Sequence, residues 1–439
     1  MTLVAEPLVA EPPVVEPAPS RFTPATTRPE PRPLVDPAWP IIPLTLGMPI
    51  AYFLGFGALV WIVPALGFAV PLIRRRSLCM PACALPLAAL VLWIPVTALR
   101  LPDANSLGVF AYRWLIWVSA LTGMLWLCNT STLRLATKRI VDMLAFLWIV
   151  LVGFGYLALM FPTTAVPSLL QKLLPTGLAT TQFINDLTII RFAELQTFIE
   201  GTVPRPAAPL PATNGWGSTL ALLTPFFILS WLLAPSRRRR ITGWVLAAIG
   251  VVPLAISTNR GAWLSIGLGL VYFAIRRARA GDARPLFAVV AVGMLAVMAV
   301  TMTPLSNTVS ARLSETAASN DTREDVYKLA WAKTLDSPVL GYGAPESADH
   351  SPPIGTHGLI WYAMFSHGFP ALALLLIALA ALFCATFKAR TPAALWAHIC
   401  IFMAITQLPY YGLLPQFVLV GVAAGLCWRE NHPELANRA

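Results

Sequence analysis

The chain has 439 residues, of which 57% are hydrophobic and 12% charged, with a mean hydropathy of +0.69. Ordinary globular domains are about 25% charged, so a soluble multidomain protein is excluded and a membrane protein with many spans remains. The net charge of +11 falls in short clusters between apolar runs, without a basic stripe, which argues against nucleic acid as a partner.

Residues 1–40 hold 11 of the 40 prolines, in repeats such as Val4-Ala5-Glu6-Pro7 and Val9-Ala10-Glu11-Pro12. That density predicts a disordered, partly polyproline cytoplasmic tail, a candidate docking segment for a protein partner. It lacks the basic start and apolar stretch of a secretory signal. Residues 41–428 read as an all-α, polytopic transmembrane domain. Spans are predicted near 41–56, 57–73, 81–98, 107–128, 140–160, 217–235, 241–257, 261–275, 285–303, 357–385, 392–408 and 412–428, about twelve in all, before a cytoplasmic tail at 429–439. No polar break separates the first two, so 41–73 reads as a tight hairpin split near Gly55 to Gly57 or as one long span.

Two segments between spans are long, about 161–216 and 304–356, and loops of that size are usually functional. In the first, Ser168–Leu174 and Ile189–Phe198 are expected to lie on the membrane as interfacial helices. In the second, Val326, Leu329, Ala330 and Lys333 recur at helical spacing within Asp325–Leu335 and predict an amphipathic helix.

Charge assigns sides. One set of loops carries Arg74–Arg76, Arg134, Lys138, Arg139, Arg237–Arg240, Arg276, Arg277, Arg279, Arg284, Lys388, Arg390, Arg429 and Arg438, 18 basic residues against four acidic. The other set, which includes Arg100 and Arg113, has 10 basic residues against 11 acidic. The positive-inside tendency makes the first face cytoplasmic and, for an even number of spans, puts both termini there, in the inner membrane of the cell. The six cysteines fall in spans or at their cytoplasmic ends and show no metal-ligand spacing, so they read as apolar filler.

The outward face carries single arginines at span ends or in the long segments: Arg191, Arg205, Arg260, Arg312 and Arg323. Arg260 lies in Ser257-Thr258-Asn259-Arg260-Gly261-Ala262-Trp263, between two spans with almost no loop. A charge at that boundary either snorkels to headgroup phosphates or has a task. Several guanidinium forks facing one cavity hold a diphosphate and stabilise it as a leaving group. No outward Asp-x-Asp is present for a divalent metal, so arginine is the expected charge carrier, with no cofactor. Three histidines, His350, His357 and His367, lie where the second long segment enters a span. His357, in Gly355-Thr356-His357-Gly358, is the candidate base, because an imidazole takes a proton from a hydroxyl near neutral pH. His367 reads as a packing or hydrogen-bonding residue, and His398 and His432 as structural or exposed.

Ser257-Thr258-Asn259-Arg260-Gly261-Ala262-Trp263-Leu264 resembles the Ser-Arg-Gly-Ala-Trp-Leu signature of the O-antigen ligase and polymerase family. Further elements follow in order. Arg205-Pro206 through Thr213-Asn214-Gly215-Trp216-Gly217 resembles its Arg…Asn element, and Arg323 with Trp331 its Arg-to-Trp segment. Ser337-Pro338-Val339-Leu340-Gly341-Tyr342-Gly343 resembles its Pro-to-Gly-x-Gly turn, and Thr356-His357 with His367-Gly368-Phe369-Pro370 its His-bearing motif. The sequence departs from the family pattern at Gly358, where Asn often follows the histidine, and at Asn259, where Ser is common. The resemblance implies a GT-C type membrane glycosyltransferase, inverting and metal-independent, that moves a glycan from a polyprenyl diphosphate to a hydroxyl of a saccharide or lipid-glycan acceptor at the outer face. It implies Arg205, Arg260, Arg323 and Arg191 as diphosphate ligands, His357 with Arg260 as the catalytic pair, and Asn214, Tyr342 and His350 in support. A ligase and a polymerase share these motifs. The competing readings are a transporter or flippase of lipid-linked glycans and a scaffolding subunit. The scarcity of ionisable residues at mid-depth and the absence of a repeat between halves favour the enzyme.

Overall fold

The computed structural model describes residues 36–73, 75, 77–103, 106–179, 181–198, 201–302, 324–345, 354–355 and 357–434. The expectations for residues 1–35, for Arg323 and for His350 fall outside these residues.

The described residues are mostly helical. The chain opens with α1 (Met48–Leu54), a 3-10 turn (Leu59–Trp61) and α2 (Val63–Ile73). Next comes α3 (Leu85–Trp93), flanked by 3-10 turns at Ala82–Ala84 and Ile94–Arg100, then α4 (Ser106–Cys128) and α5 (Thr137–Met160). The first long segment contains β1 (Ala165–Pro167), α6 (Leu169–Leu173), α7 (Thr176–Ala179), α8 (Gln182–Thr188), β2 (Ile189–Arg191), β3 (Ala193–Phe198) and β4 (Gly201–Pro206). It leads into α9 (Thr213–Phe227), which ends in a π-turn at Ile228–Leu232, where Pro225 removes a backbone donor. Then come α10 (Arg237–Ile256), α11 (Arg260–Arg279), α12 (Arg284–Met302), α13 (324–336), α14 (Leu359–Thr386), α15 (Pro392–Gln407) and α16 (Phe417–Asn431).

Six of these stretches are long and apolar enough to cross a membrane: Ala82–Arg100, Ser106–Cys128, Thr137–Met160, Thr213–Leu232, Arg237–Ile256 and Leu359–Thr386. The chain is a polytopic membrane protein. Two of the other predicted spans need correction. Over 41–56 the chain turns through residues 37–47, and α1 has only seven residues before Gly55 ends it with a left-handed backbone. The predicted last span, 412–428, is the 15-residue α16, set three residues further along to Asn431. Arg429, expected in a cytoplasmic loop, lies fully buried in α16; its guanidinium donates to Leu135 O (3.1 Å) and Thr137 Oγ1 (2.8 Å).

The all-α expectation is corrected in the first long segment, where β1 pairs antiparallel with β2 and β3 with β4. Ile189–Phe198 is therefore strand, not interfacial helix. Its β-branched start and the alternation Glu194, Leu195, Gln196 suit a two-sided ribbon. Prolines 204 and 206 are tolerated because a two-stranded hairpin has only edges. The helix expected at Asp325–Leu335 is α13; Ala330, on the expected face, is buried together with Thr334, whereas Leu329 is exposed, and Tyr327 stacks on Trp361 (ring centroids 4.4 Å).

α16 is the centre of the bundle, with Phe417 to Arg429 all buried. Its Gly421 and Gly425, one turn apart, lie against α4: a Cβ at Gly425 would come within 2.5 Å of Met124 O, and one at Gly421 would overlap Ala120 O. Such a small-residue stripe lets two backbones approach where no hydrophobic force separates helix from lipid.

The helix ends sort into two groups. Thr391, Asn431, Leu135 and Phe387 meet at the end that carries the basic clusters. The starts of α9, α11, α14 and α16 meet at the other end, and the candidate residues lie there.

Candidate functional site

The turn from α10 to α11 carries Arg260. Pro253 brings α10 to its end at Ile256, Thr258 takes a positive φ of 50°, and Asn259 caps α11 by accepting from Ala262 N (3.3 Å). Asn259 also reaches across to donate from Nδ2 to Thr213 O (3.0 Å) at the start of α9. The opposing residue there is Gly217, where a Cβ would overlap Asn259 Nδ2. The departure from Ser at position 259 therefore has a structural partner: the longer side chain clamps two helices, and glycine at 217 makes room for it. Arg260 is the first residue of α11 and is exposed.

The β3–β4 hairpin brings in Arg205. Glu194 and Arg205 are cross-strand partners. Glu194 Oε2 accepts from Thr213 N (2.8 Å), placing a carboxylate on the positive end of α9. Arg205 donates from Nε to Ser257 O (2.7 Å) and from its terminal nitrogen to Gln196 Oε1. Arg205 therefore braces the turn that presents Arg260.

His357 lies half-buried at the entrance to α14. The next residue, Gly358, has φ 105°, and a Cβ there would overlap Pro409 O. A side chain fails on both counts, which accounts for glycine where the family often has Asn. Pro409 O accepts from Trp361 Nε1 (3.2 Å) and Tyr327 Oη (3.3 Å), and Leu359 N donates to Tyr411 O (2.8 Å). The His357 entrance is thus docked on the loop 408–411. The Arg260 turn packs on the same loop, since a Cβ at Gly261 would come within 2.5 Å of Tyr410 Cε2 and of Tyr411 Oη. Tyr410 and Tyr411 (ring centroids 4.9 Å, edge to face) form the wall shared by both, and burial pushes the Tyr410 phenol up from its usual pKa. The sequence reasoning missed this tyrosine pair; its signal was two adjacent tyrosines after Pro409 in a short loop.

The other candidates lie on other elements. Asn214 is exposed at the start of α9 and lines a cavity of about 370 Å³ together with Arg113, Ser218, Tyr362, Tyr411 and Gln416. Arg191 sits in β2 and pairs loosely with Asp186 (3.9 Å), its own N–H bonded to Tyr52 Oη (3.0 Å). Below the cavity, Ser218 Oγ donates to Gln407 Oε1 (2.6 Å) and Gln407 Nε2 to Ser265 Oγ (2.8 Å), joining α9, α15 and α11.

Tyr342 stabilises a break in α14. At Gly368 the backbone leaves the helix (φ 76°, ψ 177°), and Pro370 has no N–H for Ser366 O. The turn from Ser337 supplies the lost partners: Tyr342 N donates to Phe365 O (3.0 Å) and Gly343 N to Ser366 O (2.7 Å), while Phe369 N donates to Pro338 O (2.8 Å). Tyr342 also stacks on Phe365 (4.9 Å) and donates to Lys333 O (3.0 Å). His367 is buried between Thr97 Oγ1 (2.7 Å) and Tyr362 Oη (3.3 Å), a hydrogen-bonding role. Among the described residues no three His, Cys, Asp or Glu side chains are grouped to hold a metal.

Residues 245–376, from the second half of α10 through the break in α14, match the family model described as O-antigen ligase, and both Arg260 and His357 fall inside the match. No curated protein compared with the chain matches it. The helices make the chain a polytopic membrane protein, and the match over residues 245–376 supports an O-antigen ligase-like family, a family of the ligase and polymerase type in polysaccharide biosynthesis.

Proposed function

We propose that the chain transfers a glycan from a polyprenyl-diphosphate carrier to an acceptor hydroxyl at the outer face of the cytoplasmic membrane, as a surface-polysaccharide ligase or polymerase. In this reading the protein is a GT-C-like enzyme of many spans with a cytoplasmic C-terminus, and the end of the bundle opposite the basic clusters faces outward. The observation that carries the reading is the shared tyrosine wall, on which the Arg260 turn and the His357 entrance both pack.

Chemically, displacement at an anomeric carbon needs a base on one side and charge stabilisation on the other. His357 takes the proton of the acceptor hydroxyl as its oxygen bonds to the sugar carbon. The bond from that carbon to the phosphate oxygen breaks, and its electron pair leaves with the diphosphate, which Arg260 holds. One displacement inverts the sugar carbon and requires no metal. Arg205 keeps the Arg260 turn in place and extends the cationic rim, with Arg191 and Arg323 as further diphosphate ligands and His350 in support.

Proteoliposomes given a radiolabelled lipid-linked glycan and an acceptor test the reading. Label joined covalently to acceptor supports it. Label that crosses the bilayer unchanged, with no new bond, replaces it with transport.

A further inference from the structure

Arg113 lies seven residues into α4, roughly 10 Å along a helix that is long and apolar enough to span. A charge at that depth is costly without a partner. Three other arginines in long helices have theirs: Arg239 pairs with Asp142 (2.6 Å), Arg276 donates to Phe387 O (2.6 Å) and Arg429 to Leu135 O (3.1 Å). Among the described residues Arg113 has neither a carboxylate nor a hydrogen-bond acceptor, only the Tyr362 ring at 5.8 Å. Its guanidinium lines the cavity of about 370 Å³, a size toward the lower end of the roughly 300–1,000 Å³ typical of small-molecule pockets. Asn214 faces the same space, its amide also without a hydrogen bond among the described residues.

We propose that this cavity is a subsite for an acidic sugar of the acceptor, a hexuronate or a sugar phosphate, with Arg113 as counter-charge, Asn214 for the hydroxyls and the rings of Tyr362 and Tyr411 as apolar walls. The assignment to the acceptor rests on the reading of the chain as a glycan transferase. Two features separate the cavity from a diphosphate site. Arg113 is the one cation among the described residues of its lining, which matches a single carboxylate or phosphate. Tyr411 lines the cavity while its hydroxyl abuts Gly261, so a sugar held here lies beside the Arg260 turn rather than on it.

The test is direct binding to the purified full-length protein in lipid nanodiscs, by calorimetry and without turnover. The probes are methyl β-glucuronoside, glucose 6-phosphate, methyl β-glucoside and inorganic pyrophosphate. Wild-type protein is expected to bind at least one acidic sugar about tenfold or more tightly than the neutral glucoside, because charge-assisted bonds are roughly twice as strong as neutral ones. Preference for the glucuronoside identifies a uronate, and preference for the sugar phosphate a phosphorylated acceptor. Arg113→Gln should reduce the acidic probes to the neutral level and leave pyrophosphate unchanged, while Arg113→Lys retains part of the preference and shows that the folded cavity persists. Equal binding of acidic and neutral sugars by wild type overturns the proposal, as does a loss in Arg113→Gln confined to pyrophosphate. Because nothing turns over, absence of transferase activity would refute the proposed reaction without removing this binding contrast.

Discussion

Exchanging Gly217 for alanine tests the clamp beneath the Arg260 turn. In an ordinary helix interior that change gains about 1 kcal/mol of propensity. Here the new Cβ overlaps Asn259 Nδ2, the atom that bonds Thr213 O. Moving the amide away takes the buried Asn259 Nδ2 from its acceptor, at about 1–3 kcal/mol, and weakens the α11 cap, worth about 1 kcal/mol. We expect a net loss of about 1–3 kcal/mol, a fall on the order of a few degrees in the unfolding midpoint of the detergent-purified protein. Asn259→Ser keeps a capping oxygen, gives up the reach to α9 and empties the space over Gly217. In that background Gly217→Ala should be neutral or slightly stabilising, so the double-mutant cycle should show a coupling of about 1–3 kcal/mol. Additive effects, with Gly217→Ala equally harmful in both backgrounds, would refute the clamp.

Arg260→Ala should lower transfer by roughly 10²–10³-fold and His357→Ala by roughly 10²–10⁴-fold, with unchanged membrane insertion; a purified variant near the wild-type rate rules that residue out. Gly358→Ala sets a β-carbon against Pro409 O at a positive φ, costing about 1–3 kcal/mol, and should lower transfer with the His357 side chain intact; wild-type turnover with an unchanged midpoint contradicts the docked entrance. Gly421→Leu forces α16 off α4 and should abolish accumulation of folded protein, read by size-exclusion profile, whereas a normal profile would mean the two backbones do not meet as described.

Helix positions were legible because a span must be a long apolar run, whatever packs beside it, and α4, α5, α10 and α14 lie within a few residues of expectation. Strand pairing was not: Ile189–Phe198 reads as an apolar piece until Gly201–Pro206 is known to lie beside it. The Ser337–Gly343 turn and the His367–Pro370 stretch were each visible as motifs. That one repairs the other's missing backbone bonds is a tertiary fact, written only in which carbonyl lacks a donor. Asn259 and Gly358 read as departures from a pattern, yet each answers a residue distant in sequence, Gly217 and Pro409. Arg113 entered the sequence reading only as one charge in a sum, because nothing local marks an arginine that lines a cavity.

The central claim is that the Arg260 turn and the His357 entrance act on one substrate across the Tyr410–Tyr411 wall. Single-turnover transfer by purified protein, with donor binding measured in parallel, tests it most directly. The account predicts that His357→Ala binds the polyprenyl-diphosphate donor as wild type does and transfers it at least about 10²-fold more slowly, while Arg260→Ala loses both binding and transfer. Wild-type single-turnover rates in either variant would contradict it.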